Sequence, residues 1–268
     1  MNKRMLLVAN WKMNVTSESD AVNLFNSIKN VIARITSLEM IVCPPHMYLN
    51  QVGAQVISDH YNIGAQDAFP DDSGNRTGET SIEMVKNAGA QYIIVGHSER
   101  SHLEDRTDVA RKIMAILEKE MTAIVCVGET QRDKDWKKEL AAQVKESFNR
   151  VSKKNPERIV VAYEPVWAIY SDKKNPATSD QYNEAMDVIK KELQKSFKTL
   201  KALESIRFIY GGSLDDKNIE DYLKNTDVDG FLVGRVAHDP RILMTMFRLI
   251  DEGIENRKKA ALAAAETE

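Results

Sequence analysis

Cysteine is scarce: Cys43 and Cys126 are the two thiols in a chain of 268 residues. Each closes an apolar run, the setting of a buried free thiol in a reducing compartment rather than of a disulfide framework. No Cys and His fall at metal-ligand spacing. Long hydrophobic runs are also missing. Met5-Leu6-Leu7-Val8-Ala9, behind Lys3 and Arg4, is too short for the core of a signal peptide, and no stretch approaches the length of a membrane span. Nor is there an excess of positive charge. The net charge is -3 and no basic stripe interleaves with aromatics, which argues against a nucleic-acid binder. These absences predict a cytoplasmic protein with neither nucleic acid nor membrane as partner. A hydrophobic content of 43% with 29% charged residues is that of a globular protein.

Eight short apolar runs recur: Met5–Ala9, Met40–Cys43, Tyr61–Ala65, Tyr92–Val95, Ala123–Val127, Ile159–Ala162, Ile206–Tyr210 and Gly230–Val233. Helical patterns fill the gaps at Ser17–Ile32, Tyr48–Gln55, Ser81–Ala88, Val109–Lys119, Trp136–Val151, Ser179–Phe197, Asp216–Leu223 and Asp239–Ile250. Ser179-Asp180 reads as one helix cap and Asp239-Pro240 as another. Continuous apolar runs alternating with amphipathic helices predict a parallel sheet covered by helices, and eight is the number that closes it. A doubly wound sheet would want a Gly-rich turn after the first strand, where this chain has Asn10-Trp11-Lys12. The expected fold is an α/β single-domain (β/α)8 barrel over residues 1–255, with a charged, Ala-rich tail at 256–268 that has no apolar face and is given no role.

In such a barrel the C-terminal strand ends share one mouth. The sixth run enters Glu164-Pro165, and proline stops the strand there and holds Glu164 extended. A carboxylate leaving a buried strand is a candidate general base unless a partner compensates it; a salt-bridged strand end is the plain alternative. Val166-Trp167-Ala168-Ile169 is apolar where a loop should be polar, as a segment that closes over a site would be. Other strand ends carry Asn10 and Lys12, then Gly96-His97-Ser98-Glu99-Arg100, Gly128-Glu129, Gly211-Gly212-Ser213 and Gly234-Arg235. Glycines after the last two strands, with a short helix following Ser213, fit a phosphate cradle, or merely tight turns. Glu99 and Arg100 are assigned supporting ion pairs. A carboxylate, an imidazole, an ammonium and a cradle, with no nucleophile–base pair, fit proton abstraction beside a carbonyl of a phosphorylated small molecule.

These motifs, with Thr77-Gly78-Glu79, Cys126-Val127-Gly128-Glu129-Thr130 and Ala162–Ile169, resemble triosephosphate isomerase over residues about 8 to 250. The resemblance implies that Glu164 is the base, His97 a neutral electrophile, and Asn10 and Lys12 substrate-binding residues beside Glu99. It implies phosphate binding by Gly212, Ser213 and Gly234, with the Tyr170 backbone N–H and Arg235 as further substrate-binding candidates, Arg235 alternatively pointing outwards to solvent. It further implies no cofactor, and a homodimer whose interface includes Thr77, Gly78 and Glu79. Departures are also present. The lid continues as Tyr170–Thr178 without the usual glycines, Arg235 stands where a second glycine is usual, and Arg76 precedes Thr77 in place of an apolar residue. Arg235 and Asn175-Pro176-Ala177-Thr178 look similar to the family branch that isomerises a four-carbon ketose phosphate such as erythrulose phosphate, so the expected substrate is a triose phosphate with the tetrulose phosphate as alternative. A catalytically silent barrel would have lost Asn10, Lys12, His97, Glu99 or Glu164, and all are present.

Overall fold

The structure, a computed structural model, describes residues 4–32, 35–56, 58–151, 154–169, 176–197 and 199–265. Eight strands form a closed parallel barrel in sequence order. They are β1 (Met5–Asn10), β2 (Leu38–Cys43), β3 (Tyr61–Ala65), β4 (Ala90–Val95), β5 (Thr122–Val127), β6 (Ile159–Tyr163), β7 (Arg207–Tyr210) and β8 (Gly230–Val233). Pairing of β1 with β8, Val8 opposite Leu232, closes the ring. The helices are α1 (Glu18–Ile32), α2 (Leu49–Gly53), α3 (Ile82–Asn87), α4 (Arg106–Glu118), α5 (Trp136–Ser147), α6 (Val166–Ile169), α7 (Ser179–Phe197), α8 (Leu200–Ser205), α9 (Ile219–Asn225) and α10 (Pro240–Ala265).

Successive residues of a strand face opposite sides of a sheet. Here the two sides are two cores. Leu6, Val8, Ile41, Cys43, Ile94, Ile124, Cys126, Val160, Ala162, Ile209 and Leu232 pack together in the lumen. Their neighbours Leu7, Met40, Val42, Ile93, Val125 and Val161 join the larger core beneath the helices. Both faces being dry is why the strands read as unbroken apolar runs. One step further along the lumen-facing register stand Asn10, Gly96, Gly128, Glu164, Gly211 and Gly234. The topmost inward layer is therefore largely bare of side chains, and the base of the mouth is open around Asn10 and Glu164.

Several boundaries differ from the sequence expectation. The segment Val166–Ile169, expected as loop, is a short helix. The helix expected from Asp216 begins at Ile219, so a turn separates Ser213 from it. The cap of α7 is Thr178 rather than Ser179. Its Oγ1 accepts from Gln181 N at 3.2 Å while Gln181 Oε1 accepts from Thr178 N at 2.9 Å, a reciprocal box. Asp239 caps α10 as expected, accepting from Arg241 N at 2.9 Å. That helix runs on through residue 255 to Ala265. Arg257 within it donates to the carbonyls of Leu223 at 2.8 Å and Thr226 at 2.7 Å, a role the sequence reading did not give it. No helix among the described residues is long and apolar enough to cross a membrane.

Candidate active site

Glu164 extends the β6 ladder by one bond, its N–H donating to Val127 O at 2.8 Å, before Pro165 ends it. The tip fits because β5 ends in glycine: a Cβ on Gly128 would stand 1.7 Å from the Glu164 carbonyl oxygen. The carboxylate is 2% exposed. Its Oε2 accepts from Ser98 N at 3.2 Å. Its Oε1 lies 3.3 Å from His97 Nε2 but is not aligned with any hydrogen-bond donor among the described residues. A buried acceptor left in this state is open to a donor that enters the site. Among the described residues no Lys or Arg lies within ion-pairing distance of it, which argues against the salt-bridged alternative. The buried Cys126 thiol sits beside it. Burial first, and the Glu164 charge second, hold that thiol well above its ordinary value.

His97 caps the short 3-10 turn Ser98–Arg100. Its Nδ1 accepts the Glu99 backbone N–H at 3.1 Å. A nitrogen that accepts carries a lone pair, so this imidazole is neutral and its proton is on Nε2. The Nε2 lies 3.3 Å from Glu164 Oε1 without hydrogen-bond alignment, and both side chains are buried. A neutral N–H donor beside a carboxylate is what polarisation of a carbonyl next to proton abstraction requires.

Asn10 closes β1 and is 4% exposed. Its Oδ1 accepts from Lys12 N at 3.0 Å. Lys12 has φ of 52, a left-handed conformation rare for a residue with a side chain. Gln66 Nε2 donates to its carbonyl at 2.8 Å. The Lys12 ammonium meets Glu99 Oε1 at 2.6 Å, as the supporting role for Glu99 requires. The aliphatic chain of Lys12 crosses Gly234, where a Cβ would stand 2.8 Å from Lys12 Cε, so the second glycine cradle and the ammonium share one place. Arg235, next in the chain, reaches back across the mouth. Its Nη2 donates to Ser213 Oγ at 2.7 Å, joining the β8 loop to the Gly212-Ser213 turn. Asn218 Nδ2 fixes that turn through Ser213 O at 3.0 Å. Arg100 pairs with Asp67 at 2.7 Å instead of with Glu99.

Asn10, Lys12, His97, Glu99, Glu164, Gly212, Ser213, Gly234 and Arg235 thus all lie at the C-terminal strand ends. Tyr170 lies outside the described residues. Thr77, Gly78 and Glu79 are exposed on the loop between β3 and α3, with a Phe69–Ser81 bridge closing the loop's base. Sequence reasoning assigned no role to Glu129, Gln66, Asp67 and Lys112. Glu129 is fully buried, and its Oε1 receives Tyr163 Oη at 2.8 Å, Trp167 Nε1 at 2.9 Å and Arg132 Nη1 at 3.0 Å. It ties α6 to β5 immediately after the candidate base. Its place at a strand end was the one available signal. Lys112 is buried between Asp67, at 2.7 Å, and Glu104. Nothing in the spacing of these three foretells that they meet.

A closed barrel of eight parallel strands, with ionisable groups gathered at the C-terminal strand ends, belongs to the (β/α)8 enzyme class. Within that class the chain belongs to the triosephosphate isomerase family, whose model, described as Triosephosphate isomerase, matches residues 5–250. A protein named triosephosphate isomerase from Endomicrobium trichonymphae is 36% identical over 237 residues, covering 87% of this chain and 93% of the relative. One of the same name from Rhodopirellula baltica is 37% identical over 239 residues, covering 87% and 92%. Another, from Emericella nidulans, is 35% identical over 247 residues, covering 90% and 96%.

Proposed function

We propose that this chain is an isomerase interconverting dihydroxyacetone phosphate and D-glyceraldehyde 3-phosphate through an enediolate. The observation that carries the reading is the buried carboxylate of Glu164 facing the Nε2 of a neutral His97 at 3.3 Å, beside an ammonium laid over a glycine. Glu164 takes the proton next to the carbonyl. His97 donates a hydrogen bond to the carbonyl oxygen as it gains charge, and Lys12 lowers the energy of both that oxyanion and the phosphate. Asn10 fixes Lys12. Gly212, Ser213 and Gly234, with Arg235 at the rim, receive the phosphate, and Tyr170 contributes from the lid. The reaction needs no cofactor, since proton transfer within one molecule involves no net redox change. Its place in glycolysis and gluconeogenesis follows from the substrate, and a cytoplasmic location agrees with two buried free thiols.

The decisive experiment is side-by-side turnover of glyceraldehyde 3-phosphate and erythrulose phosphate. Fast conversion of the triose, with kcat in Glu164→Asp lowered by orders of magnitude and KM little changed, is the expected result. Negligible turnover of the triose with rapid turnover of the four-carbon sugar would move the chain to that branch of the family.

The reading includes a homodimer in which Thr77, Gly78 and Glu79 bury against the partner. In the single chain Met13 is 91% exposed, Met47 79% and Met84 55%, apolar surface that a partner would cover. Sedimentation at micromolar concentration should give twice the chain mass, and a monomer would count against the assignment.

A further inference from the structure

The peptide linking Trp11 to Lys12 is gripped at both ends. Asn10 Oδ1 holds its N–H at 3.0 Å, and His238 Nε2 meets its carbonyl, Trp11 O, at 2.7 Å. A carbonyl can only accept, so the His238 proton on Nε2 is the donor. Asn14 Nδ2 adds a second donor to the same oxygen at 3.1 Å. This is the peptide plane about which Lys12 φ is set, and that φ is 52. A left-handed non-glycine residue is strained and persists only where its surroundings over-determine it. His238 belongs to a different element from Lys12, the 3-10 turn Arg235–His238 after β8. Its other ring nitrogen, Nδ1, lies 3.4 Å from Arg235 O. The imidazole therefore bonds the carbonyl preceding Lys12 from within the turn that begins at Arg235.

We propose that His238 is a positioning residue of the phosphate site: it locks Lys12 in its left-handed conformation and keys the turn bearing Arg235 to the same frame. The inference rests on the proposed phosphosugar reading and deepens it. Lys12 and Arg235 follow the first and last strands of the barrel, which pair where the ring closes. Lys12 lies over Gly234 and Arg235 bonds Ser213, so each cation stands at one of the two glycine turns assigned to the phosphate. Two flexible side chains recognise a dianion well only if their backbones are fixed relative to each other. Within this site, His238 is the side chain that joins the Trp11–Lys12 peptide to the Arg235 turn. Asn10 and Gln66 hold the lysine from β1 and the end of β3, and neither reaches the turn after β8.

The test compares His238→Leu with His238→Gln, which keeps an N–H at similar reach. Binding of inorganic phosphate is measured by calorimetry, and kcat/KM is measured for glyceraldehyde 3-phosphate and for unphosphorylated glyceraldehyde. His238→Leu should weaken inorganic phosphate about tenfold and lower the ratio of the two kcat/KM values by a similar factor, with KM rising more than kcat falls. His238→Gln should restore most of both. Equal losses on the two substrates, unchanged phosphate affinity in His238→Leu, or no recovery in His238→Gln would overturn the proposal. Phosphate binding by the unmutated protein is read without turnover, so failure of the positioning role is distinguishable from failure of the triose-phosphate reading.

Discussion

At the scale of single residues, the site works by what each polar atom is denied. Glu164 Oε1 is buried without an aligned donor, and His97 Nδ1 is occupied by a backbone N–H, so the proton of the imidazole can be only on the nitrogen that faces the site. Cys43 and Cys126 are fully buried, and burial pushes both thiols up. Thiolate is the reactive form, so both should resist an aromatic disulfide reagent at pH 8 in the folded protein and react together on unfolding. A thiol titrating at the free rate in the native state would contradict this packing. The placing of Asn10, Lys12, His97 and Glu164 at the strand ends was legible in the sequence because each follows an apolar run. His238 was not legible. It sits in front of a helix cap, and its partner Trp11 is 227 positions away in the chain.

At the scale of elements, the eight strands were legible within one or two residues because both faces of each are buried. The misread pieces are those whose hydrogen bonds come from far away. Val166–Ile169 is helical and tied to Glu129 through Trp167. α10 extends past its last apolar turn because Arg257 finds carbonyls at the end of α9 and on the approach to β8. Besides Leu223 and Thr226 it reaches Val228 O at 3.2 Å and Tyr222 O at 3.3 Å. A guanidinium there satisfies carbonyls that the helix end leaves open and complements its dipole. Hydrogen bonds to a charged group are worth about 1.5–3 kcal/mol, so Arg257→Ala should lower unfolding stability by about 2 kcal/mol in urea titration. Ending the chain after residue 255 should cost about the same. A loss within error would mean the tail only rests on the surface.

At the scale of the molecule, a cluster of tyrosines under β6, β7 and β8 makes stability depend on alkaline pH. Tyr163, Tyr182, Tyr210 and Tyr222 pack ring against ring, with Tyr210 and Tyr222 stacked at 4.2 Å. Burial raises each phenol from its ordinary 10.0, Tyr210 to about 12 and the others further. Above pH 10 the unfolded chain loses protons that the folded one keeps, so the folded state binds more protons and stability falls as pH rises. The melting temperature should hold up to about pH 10 and drop beyond it, with tyrosinate absorbance appearing together with unfolding. Tyrosinate signal from these rings before unfolding would refute the burial. The glycine-lined upper layer of the lumen carries a consequence for design. A methyl group at Gly211 would stand 3.0 Å from Glu164 Cγ and touch nothing else of the catalytic set as closely. The barrel thus offers a steric adjusting screw on its base: Gly211→Ala would nudge the carboxylate by a few tenths of an ångström while leaving the chemistry of every participating group unaltered.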